Sequence, residues 1–224
     1  MMERTLLDCQ TCSLNKENNL TNACDRCKTI NTALIRYSEA NIPVRYWNLS
    51  VAPEDFTGDK ILLNKYQEVV KDIKDSYRKG ICLCFAGSNG LGKTLISASI
   101  LKRAVEKGYT ALYTTLSDIV NVLVSASSEE KNLARKELMQ VDFLVIDEFD
   151  PRYMGSDNAA DLFGRVLEDV LRNRTQNTLP LFLCTNSPSV LESFSGPIKM
   201  SIGSLMNYVT TVSVLGKDQR KQGK

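Results

Sequence analysis

The residues best placed to do chemistry lie in "CFAGSNGLGKTL" (84–95), where Gly87, Gly90 and Gly92 follow an apolar run and directly precede Lys93 and Thr94. The spacing is that of a phosphate loop, G-x-x-x-x-G-K-[ST]. Glycine lets the backbone curl until successive N–H groups point inward at phosphate oxygens. A helix opening at Lys93 adds the positive end of its dipole. Gly87, Ser88, Asn89, Gly90, Leu91, Gly92, Lys93 and Thr94 are therefore the expected nucleotide cradle. In it Lys93 reaches the β- and γ-phosphates as a point charge, and the Thr94 hydroxyl ligates Mg²⁺. The plain alternative is a glycine-rich turn with an accidental lysine. Against it, the pattern sits between a strand and a helix, where the mechanism needs it.

Two further strand ends carry polar groups. "VDFLVIDEFD" (141–150) is an apolar run that ends in Asp147 and Glu148, and so delivers two carboxylates to the edge where parallel sheets bind ligands. Asp147 would hold Mg²⁺ through water, and Glu148 would orient or deprotonate the water that attacks the γ-phosphate. "LFLCTNSP" (181–188) ends in Thr185 and Asn186. The Asn186 amide could hydrogen-bond the γ-phosphate or the attacking water. Equally, Thr185, Asn186 and Ser187 could cap the next helix, and both readings can hold together. No guanine-reading N-K-x-D follows a later strand, so ATP is expected rather than GTP.

The third constellation is Cys9, Cys12, Cys24 and Cys27, two C-x-x-C pairs separated by eleven residues. Each pair can clamp one side of a tetrahedral Zn²⁺, and four thiolates close a structural site. Metal would supply order that this polar stretch cannot gain by burying apolar surface. An iron–sulfur cluster on the same ligands stays open as an alternative. Seven cysteines and no histidine disfavour a disulfide framework and require any zinc site to use thiolates. Cys82, Cys84 and Cys184 fall in apolar runs and read as small core residues.

These groups need a sheet to position them. Strands are expected near 81–86, 109–115, 142–148, 181–186 and 211–215, with helices opening near Lys93, Ser117, Asn132, Asn158 and Pro188. Near-continuous apolar strands alternating with helices describe an α/β fold with a buried parallel sheet. Upstream, "KILLNKYQEVVKDIKDSYRKG" (60–80) keeps one helical face through Leu62, Tyr66, Val69, Val70, Ile73 and Tyr77, and Gly80 is placed to end it. Residues 41–59 read as a connecting segment with Trp47 as packing anchor, "SASSEEKN" (125–132) as a surface loop, and "GKDQRKQGK" as a solvated tail. The expected organisation is a Cys₄ module with its following helix over 1–40, a linker over 41–59, and the ATPase domain over 60–224.

With 224 residues, 43% hydrophobic and 24% charged, global disorder is excluded. A net charge of +2 is too small to imply a nucleic-acid partner. No apolar run approaches the roughly 20 residues of a membrane span, and "MMERTLLDCQ" lacks the order of a signal peptide, so a cytoplasmic protein with no membrane partner is expected.

Taken in order, "NIPVRYWNLS", "FAGSNGLGKT", "VDFLVIDEFD", "LFLCTNSP" and "VLGKDQRK" resemble the bacterial and phage replicative helicase loaders of the DnaC/DnaI type. These are AAA+ ATPases, similar to the IstB transposition ATPases. The resemblance spans about residues 41–221. It implies a five-stranded parallel sheet in the order 5-1-4-3-2; with little sequence after the fifth strand, the helical lid many AAA+ proteins carry is not expected. It makes Lys93, Asp147, Glu148 and Asn186 the catalytic set, with Asn186 as sensor and Arg220 as a γ-phosphate contact; a flexible tail cation is the other reading of Arg220. The implied partners are a hexameric replicative helicase, held by the Cys₄ module, single-stranded DNA and sister subunits. DNA contact by Lys16, Arg26 and Lys28 is a competing role for that module.

One departure matters. Ahead of the last strand the family carries an arginine that reaches a neighbouring subunit's ATP, whereas "GSLMNY" has Ser204 and Tyr208. Such an arginine is worth about 10³–10⁵ in rate in related enzymes. Weak ATP hydrolysis is therefore expected, rising only in a complex, with Arg152, Arg165, Arg172 or Arg174 as possible substitutes. The competing functions are an IstB-like transposition regulator, a P-loop small-molecule kinase, and a scaffold that binds ATP and scarcely hydrolyses it.

Overall fold

The computed structural model describes residues 25–54, 56–149, 157–187 and 196–216. Five parallel strands form one sheet: β1 (Cys82–Ala86), β2 (Ala111–Thr115), β3 (Phe143–Asp147), β4 (Leu181–Thr185) and β5 (Thr210–Ser213). Their order is β2-β3-β4-β1-β5, the expected 5-1-4-3-2 read from the opposite edge. β1, β3 and β4 are buried along their whole length, as strands covered on both faces must be.

Alternate residues of β3 enter two different cores. Phe143 and Val145 join Phe85, Phe182 and Cys184 on one face, while Leu144 and Ile146 join Leu181, Leu183 and Leu171 on the other. The first face is covered by α1 (Asp25–Glu39), α2 (Lys60–Lys71), α3 (Ile73–Arg78) and α4 (Lys93–Glu106). The second is covered by α5 (Leu116–Ser125), α6 (Ser128–Gln140), α7 (Asp157–Gln176) and α8 (Gly196–Met206). Among the described residues no helix is long and apolar enough to cross a membrane.

The structure corrects two expected elements. The helix expected without interruption through 60–79 breaks at Asp72 (φ −143°, ψ 88°), whose carboxylate turns back to accept the Asp75 N–H at 2.9 Å and cap a new helix, α3. Its end at Gly80 (φ 58°) stands, and a Cβ there would lie 2.6 Å from the Thr178 carbonyl carbon. The stretch 125–132 is not a loop. Ser127 and Glu130 form a reciprocal capping box, in which the Ser127 N–H donates to Glu130 at 2.7 Å and the Glu130 N–H to the Ser127 hydroxyl at 3.3 Å. That satisfies two orphan donors and starts α6 at Ser128 rather than near Asn132. The helix expected from Pro188 concerns residues 188–195, outside the described set.

At the N-terminal side, α1 buries Leu34 and Tyr37 in the same core as α4, and the Arg36 guanidinium donates to the Val105 carbonyl at 3.0 Å. Trp47 anchors the following segment: its Nε1–H donates to the Ile42 carbonyl at 2.7 Å and its ring meets Tyr37 edge-on. Lys102 on α4 ties this segment down, donating to the carbonyls of Tyr46, Trp47 and Leu49 at 3.0, 3.0 and 2.5 Å. These carbonyls lie at the end of the short 3₁₀ turn Val44–Tyr46 and just beyond it, where helical donors run out, so one buried ammonium gathers all three.

Candidate functional site

The loop between β1 and α4 is shaped by three glycines for two different reasons. Gly90 (φ 77°) and Gly92 (φ 90°) adopt left-handed backbone that disfavours any side chain. Gly87 has no room for one, since a Cβ would lie 2.3 Å from the Val214 carbonyl oxygen, where the chain leaving β5 passes. Lys93 opens α4 and is 7% exposed, with its ammonium donating to the Gly87 and Ser88 carbonyls at 2.7 Å each. The loop is backed by the preceding segment. The Phe56 ring lies against Gly58 and Gly92, and Asp59 caps α2 with one carboxylate oxygen while the other accepts the Leu215 N–H at 2.9 Å.

Beside the loop, β3 ends in Asp147, which is 5% exposed. Both its oxygens are engaged: Oδ1 accepts the Glu148 N–H at 2.7 Å, and Oδ2 accepts the Tyr113 hydroxyl at 2.6 Å. Burial, then the neighbouring Asp147 charge, pushes the Tyr113 phenol far above its ordinary range and keeps it a donor. Glu148 is exposed and held at φ 51°, a strained conformation for a non-glycine residue. The chain then dives back, with Phe149 fully buried and its N–H donating to the Cys184 carbonyl at 2.8 Å. This reversal is what leaves the Glu148 carboxylate outside. On β4, the Thr185 carbonyl accepts the Gly87 N–H at 3.2 Å, and its hydroxyl accepts the Ser187 N–H at 3.0 Å. Asn186 follows, partly exposed, next to the phosphate-type loop.

The structure therefore brings residues 87–94, Asp147, Glu148 and Asn186 to one edge of the sheet. Sequence reasoning missed two tyrosines. Tyr113 arrives from β2, and Tyr46 arrives from the 3₁₀ turn, its phenol beside the Thr94 hydroxyl and close to the Asp147 carboxylate. Nothing in "ALYTT" or "RYW" distinguishes either ring from ordinary core aromatics. The Tyr46 phenol hydrogen-bonds the Thr94 hydroxyl and feels the Asp147 charge, which puts these groups in one neighbourhood. A hydroxyl and a carboxylate are the oxygen donors that Mg²⁺ takes beside phosphates, so the residues fit that ion.

Other candidate residues fall elsewhere. Cys9, Cys12, Cys24, Arg220, Arg152 and Lys16 lie outside the described residues, and so do the side chains of Arg26 and Cys27. Arg174 is no candidate for reaching a neighbour, because it is fully buried and donates to the carbonyls of Leu138, Val141, Asp142 and Pro180. Arg172 is engaged with Glu168 at 2.7 Å and Ser201 at 3.3 Å, and Arg165 is exposed on α7. Cys82, Cys84 and Cys184 are buried and unpaired, and burial drives the Cys84 thiol up to about 12, which suits small core residues rather than reactive ones.

A five-stranded parallel sheet in this order, with a glycine loop between β1 and its helix and an acidic end to β3, defines a P-loop nucleotide-binding fold. Residues 69–181, about half of the chain, match the family described as IstB-like ATP binding protein, and the chain belongs to that family. Two curated relatives come from Escherichia coli K12. The uncharacterized protein YdaV is 30% identical over 121 residues, 52% of this chain and 46% of YdaV. The replicative helicase loader DnaC is 27% identical over 135 residues, 58% of this chain and 51% of DnaC. The chain thus matches about half the length of each. Among solved structures, DnaI shares the fold with a TM-score of 0.65 at 19% identity, over 83% of this chain and 99% of that one. The resemblance to DnaC/DnaI-type AAA+ loaders related to IstB stands.

Proposed function

We propose that this protein is an ATP-switched loader of a replicative DNA helicase. The observation that carries the reading is the shared edge at which the 87–94 loop, Asp147, Glu148 and Asn186 meet, in a chain of the IstB-like family with DnaC among its relatives. The backbone amides and Lys93 bind the triphosphate. When Mg²⁺ is bound at Thr94 and Asp147 it neutralises phosphate charge. Glu148 orients the attacking water from its exposed position, and Asn186 senses the γ-phosphate. Hydrolysis by the isolated chain is slow, because Ser204 and Tyr208 stand where loaders carry arginine, while Arg174 and Arg172 are engaged within the chain. The Cys₄ set Cys9, Cys12, Cys24 and Cys27 holds Zn²⁺ and grips the helicase, and the ATPase core meets single-stranded DNA in the cytoplasm.

The test is to mix the protein with the hexameric replicative helicase of its host, with and without Mg-ATP, and to measure the mass of the complex. A complex whose stability depends on nucleotide supports the loader. Absence of a complex in both states removes it. The family match favours one second reading, a transposition regulator in which the partner is a transposase on duplex DNA. A complex with transposase and none with helicase would select it.

A further inference from the structure

β2 is an edge strand, and the outward backbone groups of an edge are normally unpaired. At Tyr113 they are taken. Its N–H donates to the Ala40 carbonyl at 2.8 Å, and its carbonyl accepts the Asn41 side-chain amide at 3.0 Å. Asn41 sits in left-handed backbone (φ 52°), which asparagine tolerates better than most residues, and it lies in the turn that ends α1. The same Tyr113 donates its hydroxyl to Asp147 Oδ2 at 2.6 Å, while the Glu148 N–H engages Oδ1. One residue therefore carries the N-terminal helix on its backbone and the metal-facing carboxylate on its side chain.

The pairing follows from register. Tyr113 lies opposite Val145, so it shares a face with Asp147 two residues further along β3. The linker touches the site a second time, since Tyr46 stands beside Thr94 and Lys102 binds the carbonyls of Tyr46, Trp47 and Leu49 into a unit with α4.

We propose that Tyr113 is a positioning residue for Asp147, and that Ala40 and Asn41, by gripping its backbone, make the orientation of that carboxylate depend on where α1 sits. Resting on the Mg-ATP reading above, this assigns a route by which a partner held upstream of residue 40 sets the metal affinity of the ATPase site. Pulling α1 away from the sheet draws on the β2 edge, tilts the Tyr113 phenol and releases one oxygen of Asp147. Pressing α1 home tightens it. Outer hydrogen bonds of this kind hold a carboxylate in its ligating rotamer.

The test uses the full chain with a non-hydrolysable ATP analogue and Mn²⁺ as a paramagnetic stand-in for Mg²⁺, its binding read by electron paramagnetic resonance. Tyr113→Phe removes only the hydroxyl. It should weaken Mn²⁺ in the nucleotide complex by about tenfold, the low end for loss of an outer-shell partner, while metal-free nucleotide binds as before. Asn41→Gly keeps the positive-φ backbone and removes the amide. It should give a smaller shift in the same direction, and in the Tyr113→Phe background it should add nothing. Mn²⁺ affinity unchanged in Tyr113→Phe, with or without a lowered Tm, overturns the positioning role. Additive shifts in the double variant overturn the route through Tyr113. If Tyr113→Phe fails to fold, the Asn41→Gly shift alone decides. Failure of the wild-type chain to bind the nucleotide would be a different result, one that sinks the ATP site itself.

Discussion

The two edges of the sheet each bury a cation among backbone carbonyls, and they do so in opposite ways. At the edge where the strands begin, Arg174 spreads its guanidinium over carbonyls of α6, the entry to β3 and the entry to β4, with full burial. Three of these carbonyls lie more than 30 residues away along the chain, and burial lowers the guanidinium pKa only to about 10, so the charge persists at neutral pH. At the edge where the strands end, Lys93 donates to the carbonyls of Gly87 and Ser88, in the loop that precedes it. The planar fork, with several fixed donors, serves to lock elements together. The ammonium, a point charge on a flexible stem, can exchange a local carbonyl for a phosphate oxygen. At that second edge the exchangeable contact has beside it Glu148, exposed and held at positive φ.

That contrast can be broken by substitution. Glu148→Gln should lower ATP turnover by about 10²–10⁴-fold, the range for loss of a general base, while Mg-ATP still binds by calorimetry. Lys93→Ala should cost at least about 10² in turnover, as removal of one charge-stabilising donor does, and should also abolish the binding heat with little change in Tm. Arg174→Met should do the reverse. Leaving its carbonyls without a donor costs about 3 kcal/mol or more, a fall in Tm of roughly 6–12 °C for a chain of this size, with nucleotide affinity retained. If Arg174→Met instead spares Tm and removes nucleotide binding, the division of labour between the edges is wrong.

Smaller effects sharpen the picture. Ser127→Ala removes a capping-box acceptor distant from the site and should cost about 1 kcal/mol in a denaturant titration without altering turnover. Thiolate is the reactive species, and burial holds the Cys84 thiol at about 12 and Cys184 well above its usual value. A disulfide reagent at pH 8 should therefore leave Cys82, Cys84 and Cys184 unmodified until denaturant is added, as read by peptide mass mapping. Rapid labelling of Cys84 in the folded protein would contradict the buried sheet.

The phosphate-type loop was legible because its grammar is local: Gly87, Lys93 and Thr94 lie within one turn and the start of one helix, so spacing alone encodes their meeting. The three central strands β1, β3 and β4 were legible for a similar reason, each being a short apolar run such as Phe143–Asp147 whose burial on both faces leaves a compositional mark. The caps at Asp72 and Ser127 were harder to read, because a polar residue that ends or starts a helix looks the same as one in a loop until its acceptor is seen to bond.

By itself, then, the sequence determined the strand-to-helix loop, the acidic end of β3 and the alternation that builds a parallel sheet, since all three depend on neighbours in the chain. Only the tertiary structure decided that Tyr113 would meet Asp147, that Tyr46 would stand beside Thr94, and that Arg174 would be a clamp rather than a reaching cation. Those outcomes depend on β2–β3 register, on the path of the linker over α4 and on the closing of α6 against two strand entries. Each brings together groups whose separation along the chain carries no trace of the contact.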